Sequence, residues 1–470
     1  MEHTVAISPE APQPGPSPRV TGQGRQSGQI PGAGRHIGRV VAGSLAAGLL
    51  AALFLPAAPF IRARESELAG AVLCGFALGW AMLAVLSVRF TDQPQRWAAA
   101  PALFMGVGGL LLVWFGTSVD GVLAWVWPPA LLALVIWMFG RARGTLKSRT
   151  KGWLVYPVLA MLALASIGGG FQAVGTAADA MAHPMPGQLI DVGGHSLHLN
   201  CSGSGSPTVV LQPGGGEMSS NLGWIAPAVA RSTRVCAYDR AGRGWSGPAD
   251  TAQDATQIAI DLHTLLHRGN VPGPYVLAGH SFGGLYALTF AARYPDEVAG
   301  MVLVDSTAPA VAANPGATPA AAGSYDSLGR LSALISALAR LGLTRLYAPL
   351  EAGSLPPEYR DEVRASIAAP GTLRSTIDEY IQANSSMEEA ASLHDFGNKP
   401  LLVLTAGIGS DSKHLASQNE LAGLSANSAH RTIEDASHES LVAEEEGASS
   451  TTRAILDVVS SVRSGSPLVK

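Results

Sequence analysis

Charge is what this 470-residue chain has least of: Asp, Glu, Lys and Arg make up 14% of it against 47% apolar residues, and the formal net charge is only −4. That balance excludes a broad basic surface for nucleic acid and an acidic solvating tail. Cysteine is scarce as well, with three in the whole chain. No Cys-x-x-Cys pair, no His-Glu-x-x-His helix and no dinucleotide fingerprint after a strand occurs, so neither a metal nor a cofactor is expected.

The missing charge is concentrated in one region. Five stretches, near residues 40–61, 68–88, 97–115, 121–139 and 153–171, contain no Asp, Glu, Lys, Arg or His. Each has roughly 20 residues, enough for a helix to cross about 30 Å of hydrocarbon, and soluble helices of that length carry a polar face. Residues 39–175 are therefore predicted to be a membrane region of about five helices. A cleaved leader fits poorly, since the first run begins well inside the chain and four more succeed it. The absence of ionisable groups favours an anchor or lipid-facing platform over a pump or ion pathway. Small residues such as Gly106, Gly108 and Gly109 allow close helix approach. Residues 1–38, rich in Pro, Gly, Ser and Gln, bury too little to offset their ordering entropy and read as a disordered tail.

Basic residues mark alternate flanks. Arg19, Arg25, Arg35 and Arg39 precede the first run, Arg89 and Arg96 separate the second from the third, and Arg141, Arg143, Lys147, Arg149 and Lys151 separate the fourth from the fifth. The other two loops hold only Arg62 and Arg64 in the first and no basic residue in the second. By the positive-inside rule the amino terminus is cytoplasmic and everything after the fifth run lies outside.

From about residue 187 the pattern changes to short β-like runs separated by turns and helical stretches. Runs at 188–192 and 196–201 flank Gly193-Gly194, a hairpin signal. Further runs at 208–212, 233–238, 275–278, 300–305, 400–404 and 429–433 alternate with helical segments, which predicts a mainly parallel, helix-covered sheet. Gly279-His280-Ser281-Phe282-Gly283 stands between the run at 275–278 and a helix-like segment. A Gly-x-Ser-x-Gly in that context turns the chain sharply, lifts the Ser281 hydroxyl out of the fold and leaves the Phe282 N–H free for an oxyanion.

Together with Leu211-Gln212-Pro213-Gly214-Gly215-Gly216, Tyr238-Asp239-Arg240-Ala241-Gly242-Arg243-Gly244-Trp245-Ser246 and Asp435-Ala436-Ser437-His438, this elbow resembles the α/β-hydrolase family. The likeness runs over about 188–462, and within the superfamily the chain looks like a capped serine hydrolase of the esterase, lysophospholipase and peptidase neighbourhood. The resemblance implies an α/β-hydrolase domain at 187–465 with a helical lid at about 308–396. In the family order of serine, acid and histidine, Ser281 is the nucleophile and His438 the base, ahead of His414 and His430, while His280 points away from the reaction. It implies Asp411 as the acid, in the loop after the run at 400–404, with Asp305 as the alternative. Phe282 and Gly215 are the implied oxyanion donors; Pro213 stands where many relatives carry His, which leaves Gly214 and Gly216 open. Cys201 and Cys236 fall on strands that are antiparallel neighbours in the family's sheet, so a disulfide is implied.

Within the insertion, Leu328, Leu331, Leu334, Ile335, Leu338 and Leu341 make an apolar stripe, expected to pack on the core or line the pocket. The expected activity is that of a membrane-anchored serine hydrolase acting on a small-molecule or lipid-like carboxylic ester. An amidase, a peptidase or an acyltransferase would use the same residues, and a non-catalytic receptor on the same fold is the reading from another class. The expected partner is the membrane lipid bilayer; oligomeric state stays open.

Overall fold

The computed structural model describes residues 33–62, 64–145, 154–249, 251–309 and 322–469. The expected tail lies outside the described residues up to residue 32, and the chain is already helical from Ala33. Helices α1 (Ala33–Phe54), α2 (Glu65–Phe90), α3 (Ala99–Phe115), α4 (Thr117–Thr145) and α5 (Val155–Ala182) come first. They contain five segments long and apolar enough to cross a membrane. Inward residues such as Leu83, Met105 and Met138 are buried, whereas Leu53, Leu103, Trp114 and Ile136 are exposed, as lipid-facing positions of a bundle would be. α1 and α2 cross at Gly48 and Gly79, where a Cβ on Gly48 would stand 2.8 Å from the Gly79 Cα, so only glycine permits the approach. α5 continues beyond the expected apolar run, and its last turns reach the insertion: Gln172 Nε2 donates to the Ala368 carbonyl at 2.9 Å and Arg345 bonds Asp179 at 2.7 Å.

Strands β1 (Gln188–Asp191), β2 (Ser196–Ser202), β3 (Thr208–Gln212), β4 (Val235–Tyr238), β5 (Tyr275–His280), β6 (Val298–Val304), β7 (Leu401–Ala406) and β8 (Ser428–Ile433) form one eight-stranded sheet in the order β1-β2-β4-β3-β5-β6-β7-β8. β1, β2 and β4 pair antiparallel, and the remaining pairs are parallel. Cys201 lies directly opposite Cys236 across β2 and β4 and is joined to it by a disulfide, with the Cα atoms 4.0 Å apart.

Helices α6 (Ile225–Ala230), α7 (Ala255–Arg268) and α8 (Phe282–Arg293) precede the insertion, which carries α9 (Ala322–Ala339), α10 (Leu343–Tyr347), α11 (Pro357–Ala368), α12 (Pro370–Ile381) and α13 (Ala383–Ala390). After it come α14 (Ser412–Ala422), α15 (Ser440–Ala443) and α16 (Glu445–Ser464). The two-residue period of β6 divides the core: Met301 and Leu303 pack with Leu262, Leu285 and Phe290 of α7 and α8, while Val302 and Val304 pack with Val229 of α6 and Val458 of α16. Burying each such side chain contributes about 1.5–3 kcal/mol. Both sheet faces are thereby covered, and the loops at the carboxyl ends of the parallel strands are left to build a site.

Of the expected leucine stripe, Leu334 packs against the bundle and Leu341 lies beyond α9, but the other four residues do not pack as expected. Leu328, Leu331, Ile335 and Leu338 are exposed, whereas Ser332, Ala333 and Ser336 on the other face are fully buried. Ala333 sits against Ile61, Leu68 and Ala71 of the bundle, and Ser336 donates to Glu65 and to the Pro370 carbonyl. Small side chains let α9 lie close to α2 and turn the large ones outward. Residues 310–321 of the expected lid lie outside the described residues.

Candidate active site

The β5 to α8 turn holds Ser281 at φ 52°, ψ −121°, backbone that non-glycine residues rarely adopt. Two glycines make it possible. A Cβ on Gly279 would stand 2.4 Å from the Gly283 carbonyl oxygen, and one on Gly283 would stand 2.2 Å from that of Gln212. The elbow is thus pressed onto the end of β3, which brings the glycine loop against Phe282: a Cβ on Gly215 would lie 3.1 Å from its ring.

Three N–H groups of that loop have different fates. Gly214 N–H donates to Glu217 at 2.5 Å and Gly216 N–H to Glu379 at 2.9 Å. Among the described residues the Gly215 and Phe282 N–H groups have no hydrogen-bond partner. The two sequence-derived candidates are therefore the ones left available beside Ser281.

His438, in the loop after β8, is brought to the elbow by His280, whose Nε2 lies 3.1 Å from the His438 carbonyl oxygen, with the two rings 4.6 Å apart. His280 is buried, its Nδ1 3.3 Å from Glu217. Burial lowers its pKa, but the Glu217 carboxylate and the His438 carbonyl outweigh this and raise it. The Ser281 hydroxyl makes no hydrogen bond among the described residues. Such bonds are often long without substrate and tighten in the reacting complex.

The carboxylate on His438 is that of Asp305, not Asp411. Asp305 Oδ2 stands 2.6 Å from His438 Nδ1. Its Oδ1 accepts from the Ala406 N–H at 3.1 Å and lies 2.8 Å from His414 Nε2. Burial pushes the Asp305 pKa up, but the bonds from His438, His414 and Ala406 bring it down to about 2. Asp411 is exposed and serves as the N-cap of α14, accepting from the His414 N–H at 2.7 Å. The reason is local: once α14 starts at Ser412, four helical N–H groups need acceptors, and Asp411 is the residue in cap position. It supports the site only through His414. His430 bonds Thr405 and Asn419 on β7 and α14.

One cluster went unread in the sequence. Glu379 of α12 is buried and accepts from Arg243 at 2.5 Å, from Arg240 at 2.9 Å and from the Tyr286 hydroxyl at 2.7 Å, besides the Gly216 N–H. Arg240 also donates to the carbonyls of Pro213 and Gly214. Burial would raise the Glu379 pKa, but the two guanidinium groups hold it below the ordinary carboxylate range. An insertion residue thus braces the glycine loop, and Tyr380 beside it packs its ring 5.2 Å from that of Phe282. Arg240 and Arg243 were visible in the motif after β4; their partner, more than a hundred residues away, was not.

A strand-turn-helix serine, a histidine after the last strand and a carboxylate at the end of β6, on a mainly parallel sheet with a helical insertion, define the class of α/β hydrolases. The chain belongs to the alpha/beta hydrolase fold family, whose model matches residues 207–444, just over half of it. It is similar to an uncharacterised protein of Schizosaccharomyces pombe, 37% identical over 152 residues that cover 26% of this chain and 28% of that protein. It is also similar to a 2-(acetamidomethylene)succinate hydrolase of Mesorhizobium japonicum, 31% identical over 134 residues that cover 28% of this chain and 46% of the hydrolase. The chain thus spans less than half the length of these curated relatives. Among solved structures, an N-formylmaleamic acid deformylase of Pseudomonas putida S16 aligns with 56% of this chain and 99% of its own, at 20% identity and a TM-score of 0.42.

Proposed function

We propose that the protein is a membrane-anchored serine hydrolase that cleaves a carboxylic ester through an acyl-enzyme. The observation that carries this reading is the 2.6 Å contact between Asp305 and His438 Nδ1 at the elbow of Ser281. With Nδ1–H donated to the carboxylate, Nε2 is the free base. Ser281 Oγ attacks the ester carbon as Nε2 takes its proton, and the N–H groups of Phe282 and Gly215 receive the oxyanion. The C–O bond to the alcohol then breaks, and His438 returns the proton to the leaving oxygen. Water repeats the sequence on the acyl-enzyme and frees the acid and Ser281.

Anchoring is supported by the five apolar segments and by the alternation of basic loops, which argues for a cytoplasmic amino terminus and a hydrolase domain outside the cell membrane. The Cys201–Cys236 disulfide is consistent with that oxidising side. A hydrolase domain whose insertion packs on the apolar bundle through α9 favours hydrophobic esters over small polar ones. The test is a chain-length series of esters and matching amides on detergent-solubilised protein, with Ser281→Ala as the blank. Ester turnover that rises with acyl length and vanishes in the blank is expected; turnover unchanged by Ser281→Ala would overturn the reading.

A further inference from the structure

At the amino end of the central strands, opposite the carboxyl end that carries Ser281, His263 and His267 project from one face of α7 toward Glu297, the residue just before β6. His263 Nδ1 lies 3.0 Å and His267 Nε2 3.2 Å from the same carboxylate oxygen, Oε1, and the three donor atoms all fall within 4.8 Å of one another. We infer that these three residues form a zinc site, with the fourth position open to water.

The distances fit. With zinc bonds of about 2.0–2.1 Å, the edges of a tetrahedron are roughly 3.3–3.4 Å, close to both observed separations. Hydrogen bonding accounts for only part of the cluster, since His267 Nε2 bonds Glu297 Oε1 at 3.2 Å and the other contacts are left over. His263 Nδ1 is within contact distance of Glu297 Oε1 but misaligned, so it has no hydrogen-bond partner, and Glu297 Oε2 is likewise buried without one. A hydrogen bond requires the ring nitrogen to point at the oxygen; shared coordination requires both to point at a common centre beside it. A divalent ion takes both imidazoles, whose rings are 4.3 Å apart, as neutral ligands. Two imidazoles and a carboxylate suit zinc, while magnesium and calcium prefer all-oxygen sets.

Neighbouring contacts orient two of the ligands. The His263 ring stacks on Tyr294 at 4.0 Å with the planes 5° apart, and Glu297 N–H donates to the Tyr294 carbonyl at 3.1 Å. The ion would tie α7 to the turn between α8 and β6. It would act as a cross-link in the hydrolase domain, since no group that reacts with an ester lies nearby.

The experiment uses the full chain in detergent, stripped with a chelator and titrated with Zn²⁺ against a chromophoric competitor, with melting followed in parallel. Binding of one ion per chain and a zinc-dependent rise in Tm are expected. His263→Ala, the more exposed His267→Ala and Glu297→Gln should each weaken binding at least about tenfold while leaving phosphonate labelling of Ser281 intact. His438→Ala should bind zinc normally, which separates this cluster from the Asp305, His414 and His438 group. Absence of stoichiometric binding, binding undiminished in all three cluster variants, or loss only in His438→Ala would overturn the inference, and none of these bears on the ester reading.

Discussion

Replacing Asp305 by Asn separates the two candidate acids and has a magnitude that follows from the hydrogen bonds. Oδ1 faces the Ala406 N–H and His414 Nε2, with the backbone donor fixed in place, so an amide puts its oxygen there. Its NH₂ then takes the Oδ2 position, 2.6 Å from His438 Nδ1. An NH₂ donor makes Nδ1 the acceptor and leaves the ring proton on Nε2, where it can no longer accept the proton of Ser281. A triad held in the wrong tautomer loses about 10⁴-fold in kcat, or about 5.5 kcal/mol of barrier. Asn in place of Asp411 should change little, since Asn caps a helix as well as Asp does. Steady-state kinetics on a soluble chromogenic ester, with circular dichroism to verify folding, measures both variants. If Asp305→Asn keeps activity within tenfold of wild type, or Asp411→Asn is the crippled one, the reasoning is wrong.

Three further outcomes follow from the same geometry. Glu379→Gln should lower kcat, by at most the about 10²–10³-fold that removal of an oxyanion donor costs, with little change in KM, because Glu379 braces the glycine loop through Gly216; equal kcat in well-folded variant and wild type would contradict this. Replacing both Cys201 and Cys236 by Ser opens a loop of 35-residue separation and should lower stability by about 4 kcal/mol in the chain-entropy model, read as a shift in the denaturant midpoint of the hydrolase domain. The Asp305 pKa is depressed to about 2 from an unfolded value of about 3.9. A depressed acid contributes stability that is fully present above the unfolded value and lost as pH falls through the folded one. Below about pH 5, where the histidines no longer titrate, the stability gap between wild type and Asp305→Asn should therefore close between about pH 4 and 2; a gap that widens over that interval would contradict the pairing.

The strands were legible because each is a short apolar run bounded by turns, and the elbow because Gly279 and Gly283 are required by contacts that no Cβ allows. The acid was not. Asp305 and Asp411 both follow strands at the carboxyl edge, and what separates them is invisible locally: Asp305 turns inward at φ 42°, and α14 takes Asp411 as its cap. The spacing of Leu328, Leu331, Ile335 and Leu338 marks a helix, as α9 is, but leaves open which face is covered, since periodicity reports a stripe and not what covers it. Glu379 looked like one more charge in the insertion until the fold set it between Arg240 and Arg243.

The central claim, that Ser281 is a nucleophile activated by His438, is tested most directly by covalent labelling with a fluorophosphonate and mass mapping of the adduct. The account predicts a single adduct on the peptide containing Ser281, absent in Ser281→Ala and reduced to background in His438→Ala. An unlabelled wild-type protein, or an adduct that persists in either variant, would contradict it.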